Sequence, residues 1–446
     1  MIPVAMRGAP YPYVSRSRLS SWDLGDTACL VVPALMFLRV NVQGVVFATD
    51  FCLLGILLLF LARRTGEARN GKVRTACLLG LAWLAAQLFT DFVRDTPLTQ
   101  CIRGWGMISL TVTHLLTVAM LIRRSLKRLA LYGAGLAVGG LLTYFFTPGE
   151  YAVSLPWKFG LGIPVTLLVC LLSSVVAFRW RLAAVTLVLL IGAVNVYLGF
   201  RSLGGICLAT AVFCQARFTY RTAGARAAIL SSVALLVGAW AITAVYAYSA
   251  TGGALGDRAR QTYLSQSRGE GGILLGGRSD LIGATAAIMD SPLIGHGSWA
   301  RDPEYAALEA DVLSEMGYRN ALVLRDPDLI PSHSHLFGAW VTAGILGAAF
   351  WIWVVWLTVR ALLPASGSEP LYPFLVFVAL LLIWDTFLSP YGAEQRFQET
   401  YSIYAMIFLS RLARNRSSHR AYVQGVHSYR LVQPGRIPGT RNPVRS

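Results

Sequence analysis

The chain has 446 residues, 55% hydrophobic and 14% charged, with a mean hydropathy of +0.56, which excludes an ordinary soluble globular protein. Its formal net charge of +17 would suit a nucleic-acid binder, but the basic residues stand in short clusters between apolar runs rather than on one soluble face. The charge therefore reads as a membrane-orientation signal, and nucleic acid is excluded as a partner.

In chain order, the segment from Met1 to Trp22 lacks an apolar core followed by a small-residue cleavage site, so the first apolar run is expected to stay as a helix. That run is Leu24 to Leu38. A turn over Arg39 to Gly44 separates it from a second, Val45 to Ala62, after which Arg63 to Arg74 forms a strongly basic loop. Runs follow at Thr75 to Thr90, Gly104 to Ile122, Leu129 to Phe146, Phe159 to Phe178 and Leu182 to Leu198, each near the length a helix needs to cross ~30 Å of hydrocarbon. A shorter run, Leu203 to Cys214, and another, Ala227 to Tyr248, precede a long polar loop, Ala250 to Ser332. The last spans are expected at His335 to Val359, Leu371 to Leu388 and Tyr401 to Leu412. The reading is an all-α, polytopic helical bundle of about twelve transmembrane helices. With both chain ends in the cytoplasm, 26 of the 39 basic residues lie on the cytoplasmic side. The opposite assignment would reverse the usual bias, so the long loop is expected on the outer face.

That loop has patterned chemistry. Ser279 is a candidate cap for a short helix ending before Ser291 and Pro292, and Asp302, Pro303 and Glu304 match the cap, first turn and dipole-compensating acid of another, ending near Gly317. The tail from Arg411 is basic and proline-bearing, and is expected to be a flexible end touching anionic lipid. The seven cysteines lie in or beside apolar runs without CxxC spacing, as small buried hydrophobes rather than a disulfide or metal framework.

Charge at membrane depth is costly, so each such residue asks for a partner or a job. Arg201, in YLGFRSLGG, either snorkels to backbone carbonyls or clamps an anion with its planar fork. Arg278 follows Gly276 and Gly277 at an expected helix start, where its guanidinium and free backbone N–H groups suit one anion; the alternative is an ordinary surface arginine. His333 and His335 stand where the chain re-enters the membrane, and a neutral imidazole there suits proton removal from a hydroxyl. An HxH pair also suggests a metal, but only His296 is near enough in sequence to add to it, so no metal site is assigned. Asp385, with His114 and Glu399, completes the intramembrane polar set, and is expected to be a buried partner for an arginine or histidine.

GRSDLIGATAAIMDSPLIGHG, which opens with Gly277 and closes with Gly295 and Gly297, resembles a block of the O-antigen ligase and O-antigen polymerase superfamily. HSHLFGAWVTAGILG resembles that superfamily's histidine block, with Ser334 where asparagine is frequent, and YLGFRSLGG resembles its arginine-bearing segment. The resemblance implies a GT-C-like membrane enzyme of the bacterial inner membrane with a periplasmic loop. It implies division into an N-terminal transmembrane bundle (1–249), that loop (250–332), C-terminal helices (333–412) and a cytoplasmic tail (413–446). It also implies a cofactor-free, metal-independent glycosyltransferase in cell-surface polysaccharide biosynthesis. The donor would be a glycan on undecaprenyl diphosphate, and the acceptor a sugar hydroxyl on lipid A core or a growing polysaccharide. By motif, Arg201 and Arg278 would hold the diphosphate, His333 would be the base with His335 as fallback, and Gly277, Gly295, Gly297 and Asp385 would support the site. The competing class is a transporter or flippase, because intramembrane Arg201, His114 and Asp385 also suit a substrate or proton path.

Overall fold

The chain enters its first helix through a reciprocal cap: Asp23 accepts from Asp26 N at 2.8 Å, and the Asp26 carboxylate accepts from Asp23 N at 3.3 Å. The structure, a computed structural model, describes residues 22–42, 44–62, 70–253, 280–315, 328–330, 332–365, 367 and 369–431. Helix α1 (Leu24–Ala34) ends in one 3-10 turn. The expected turn after it is a small antiparallel hairpin, β1 (Arg39–Asn41) and β2 (Val45–Phe47), with Val40 opposite Val46. Four valines in eight residues favour this extended backbone, and they delay α2 to Ala48–Ala62.

The following helices sit close to the apolar runs: α3 (Gly71–Val93), α4 (Leu98–Ile122), α5 (Leu126–Phe146), a short α6 (Glu150–Ser154), α7 (Gly162–Val176) and α8 (Arg181–Tyr197). Helix α9 (Arg201–Thr251) contains the two runs read separately, because the chain breaks helical geometry at Gly224. Ser231 Oγ then lies 3.4 Å from Thr219 Oγ1, so the two halves run back along one another. Beyond the loop helices α10 (Asp280–Asp290) and α11 (Pro303–Glu315) come α12 (His335–Leu362), α13 (Tyr372–Leu388) and α14 (Gln395–Leu431). Helix α14 corrects the expected span at both ends. Its first turns read as polar loop but are buried in the bundle, and no proline interrupts the basic segment before Pro434.

Helices α13 and α14 form the centre. Phe374 to Ala379 are buried without interruption, as are Ile403 to Leu409, and a helix apolar on every face belongs inside. Tyr401 stacks on Tyr132 of α5 with ring centroids 5.4 Å apart, while its hydroxyl donates to Leu129 O at 2.8 Å. By contrast α2 and α3 turn Phe51, Leu58, Leu59, Leu78 and Phe89 outward, an apolar exterior suited to lipid. Among the described residues five helices are long and apolar enough to cross a membrane, and further apolar helices are shorter. The chain is an all-α membrane protein at this level of description.

Side-chain contacts sort the helix ends into two groups. At one end Arg128 reaches Asp23 (2.7 Å) and Asp26 (3.1 Å), Lys127 reaches Asp26 (2.6 Å), Tyr404 donates to Arg123 O, and Arg217 donates to Leu363 O (2.8 Å). At the other, Thr147 donates to Phe37 O at 3.0 Å and Arg39 lies 3.4 Å from Glu394. The second group also carries α10, α11 and the start of α12. It is called the loop end below.

Candidate functional site

The site at the loop end is built where the chain stops, twists and re-enters. Helix α10 ends before Pro292, which disfavours helical geometry at Ser291. The segment 291–298 then lies across α12, which itself departs from helical geometry at Gly344 (φ 63°, ψ −157°). His296 N donates to Val341 O at 2.7 Å and Gly297 N to Thr342 O at 3.1 Å, so the loop takes up carbonyls that the break releases. Close backbone approach is the reason for the glycines. A Cβ on Gly295 would lie 2.7 Å from Gly344 N, and Gly295 (φ 87°), Gly297 (φ 93°) and Gly344 all occupy the left-handed side of φ.

The loop carries a core of its own, with Ala284, Ala287, Ile288, Ala300, Tyr305 and Ile330 buried together against Val341. Ile330 N donates to Ala300 O (3.0 Å) and Asp302 N to Asp328 O (2.6 Å), which returns the chain beside its own start before α12. As the sequence predicts, the Asp302 carboxylate caps α11, accepting from Glu304 N at 3.0 Å. The Tyr305 hydroxyl donates to Asp290 Oδ2 at 2.6 Å, joining α11 to α10, and this bond with partial burial pushes the phenol up to about 12.

Helix α12 begins by separating the two histidines. Ser334 is its N-cap, accepting from Phe337 N at 3.1 Å while donating to Thr386 O of α13 at 2.8 Å. His333 precedes the cap and is exposed. His335, the first helical residue, has no exposed surface. Its Nδ1 donates to Ser389 O at 2.7 Å, its ring lies against Trp351 and Tyr391 (4.8 and 5.0 Å), and Nε2 is 3.6 Å from Glu399 Oε1, too long for a good hydrogen bond. His335 is thus closed to an acceptor in this conformation, and His333 is open.

Asp385 is buried as expected near His335, with which it interacts electrostatically, and it accepts from Ser389 Oγ (2.6 Å) and Gln398 Nε2 (3.3 Å) rather than from an arginine. The buried arginine pair is Asp50 with Arg396: Nε is 3.2 Å from Oδ1, Nη2 bonds Oδ2, and His114 Nε2 lies 2.9 Å from Oδ1. Breaking such a pair from one side commonly costs about 3–5 kcal/mol. Arg201 opens α9 at the loop end, half-buried. Gly277 and Arg278 lie outside the described residues. Among the described residues no three His, Cys, Asp or Glu side chains converge to hold a metal ion.

The sequence reading missed the part of the site contributed by α3. It ended the apolar run at Thr90, yet Asp91 is buried in the last turn of α3 and accepts from Ser298 N (2.6 Å), Ser298 Oγ (2.7 Å), Trp105 Nε1 (2.7 Å) and Gln87 Nε2 (3.2 Å). A carboxylate at the end of an apolar run was the signal available. No protein-family model matches this chain, and no curated protein matches it in sequence.

Proposed function

We propose that this chain is a metal-independent glycosyltransferase of the O-antigen ligase or polymerase type, moving a glycan from undecaprenyl diphosphate to a sugar hydroxyl at the outer face of a bacterial inner membrane. One observation carries the reading. Two of the three sequence blocks on which the resemblance rests, separated by a polar interval, are joined through backbone bonds from His296 and Gly297 to Val341 and Thr342. The exposed His333 lies just ahead of the same helix.

In this reading Arg201 and Arg278 neutralise the diphosphate as its bond to the sugar breaks, and His333 removes the acceptor proton as the new glycosidic bond forms. A diphosphate is already a good leaving group, so charge neutralisation and deprotonation meet the chemical need. The acceptor is lipid A core or a growing polysaccharide. The shorter apolar helices complete a GT-C-like bundle of about twelve spans with both termini cytoplasmic.

Deletion in the native host followed by gel analysis of surface polysaccharide tests the reading. Accumulation of unligated long chains indicates a ligase, and single repeats indicate a polymerase. Unchanged polysaccharide overturns both. A second reading, a transporter or flippase for an anionic or lipid-linked substrate, draws on the buried Asp50, His114 and Arg396 group and on Glu399 beside His335. It gains if purified protein moves a lipid-linked glycan across liposomes without transferring the sugar.

A further inference from the structure

The buried aspartates of the bundle are well supplied with donors. Asp26 accepts from Lys127 and Arg128, Asp50 from Arg396 and Phe47 N, Asp91 from its four partners, and Asp385 from Ser389 and Gln398. Glu399 of α14 is different. It has no exposed surface, and among the described residues neither of its oxygens has a hydrogen-bond partner. A bare carboxylate so placed pays the full cost of leaving water with no donor to offset it, and gaining a proton removes that cost.

The groups around Glu399 show what is missing. His335 Nδ1 gives its hydrogen to Ser389 O, which can only accept, so the neutral ring turns the lone pair of Nε2 toward Glu399 Oε1, 3.6 Å away. Nε2 also lacks a partner among the described residues. On another side stands the Asp385 carboxyl, near enough to Glu399 for a hydrogen bond once one of the two carries a hydrogen. The other charged groups on the surrounding helices are committed elsewhere: Arg396 of α14 and His114 of α4 face Asp50, and Asp91 of α3 faces Ser298. Trp83, Trp351 and Tyr391 close the surround as uncharged rings, the Tyr391 hydroxyl lying 2.6 Å from Thr111 Oγ1. Acceptors thus face acceptors, and one proton supplies the missing donor.

We propose that Glu399 is a proton-binding site at the centre of the bundle: as a carboxylic acid it donates to the Asp385 carboxylate, and this exchangeable proton closes the junction of α12, α13 and α14. The site is independent of whether the chain transfers a sugar or moves a substrate. On release the O–H bond breaks, its electron pair stays on Glu399, and the proton passes to a base in solution. Two carboxylates and an imidazole lone pair then oppose one another, so the helices part there and His335 becomes reachable.

The test uses the purified full-length protein in liposomes. Infrared spectra at neutral pH are expected to show the carbonyl stretch of a protonated carboxylic acid, moved by heavy-carbon labelling of glutamate carboxyls and lost in Glu399→Gln. Glutamine keeps an N–H donor for Asp385 and so keeps the junction shut. If Glu399→Gln does not fold, Glu369→Gln replaces it: Glu369 is the other buried glutamate among the described residues, and the labelled band should survive its removal. As pH rises wild type should lose the band, and modification of His335 by diethyl pyrocarbonate, read by mass spectrometry against the exposed His333, should rise with that loss. In Glu399→Gln it should stay low throughout. No such band in wild type, a band that Glu399→Gln leaves in place, or one that Glu369→Gln removes overturns the site. A band that persists until the protein unfolds, or that is lost with no change at His335, overturns the proton's role in closing the junction.

Discussion

His333 and His335 differ in environment because one serine stands between them. Ser334 caps α12 and is tied to Thr386 O, so the residue before it stays in solvent and the residue after it is drawn into the bundle. His333→Ala is therefore expected to leave donor binding intact and lower turnover by ~10² to 10⁴, measured with purified protein in liposomes. Wild-type turnover in that variant removes His333 as the base. Tyr305 gives a prediction in pH. Its phenol ionises at about 12 in the folded chain, raised above the ordinary value near 10 first by its bond to Asp290 and then by burial. Stability from that bond is complete below the unfolded value and is lost as pH rises through the folded one. The tyrosinate difference titration between wild type and Tyr305→Phe should have its midpoint near 12; a midpoint near 10 means the bond is absent in solution. At this scale the sequence marked His114, Asp385 and Glu399 as polar residues at membrane depth, but it passed over Asp50 and Arg396. Arg396 meets Asp50 across 346 residues of chain, and nothing local to either position announces the other.

Among the elements, apolar runs were legible because a helix in lipid must be apolar over a fixed length, and α4, α5, α8 and α13 begin or end within a few residues of their runs. The hairpin after α1 and the early start of α14 were not, since both depend on tertiary partners: Phe47 rests edge-on to Phe397 with ring centroids 5.2 Å apart, and Arg396 lies over the Phe47 ring. The cap of α11 at Asp302 could be read because it is local chemistry, while Ser279 lies outside the described residues. The break in α12 could not, since Gly344 in an apolar run looks like ordinary close packing. Gly344→Ala tests its role. A Cβ there would run into Leu293 O, and the backbone angles suit glycine alone, so strain on the order of 1–3 kcal/mol is expected. Thermal unfolding in detergent should show a lower Tm than wild type. An unchanged Tm means α12 can straighten and release the loop at no cost.

For the molecule as a whole, the separation of helix ends agrees with the alternation of charged loops, Arg123, Arg128 and Arg217 at one end and the structured loop at the other. Reporter fusions check the orientation: a phosphatase joined at Glu309 should be active and one joined after Leu412 inactive, and the reverse pattern inverts the protein in the membrane. The break at Gly344 also bears on how the protein is made. Beside the break at Gly344, Val341 O and Thr342 O find donors in His296 and Gly297, which are synthesised earlier. Polar backbone groups without partners are expensive in hydrocarbon, several kcal/mol each. The segment 291–298, which is made before α12, is therefore expected to be in place when α12 packs, because it supplies the donors for Val341 O and Thr342 O.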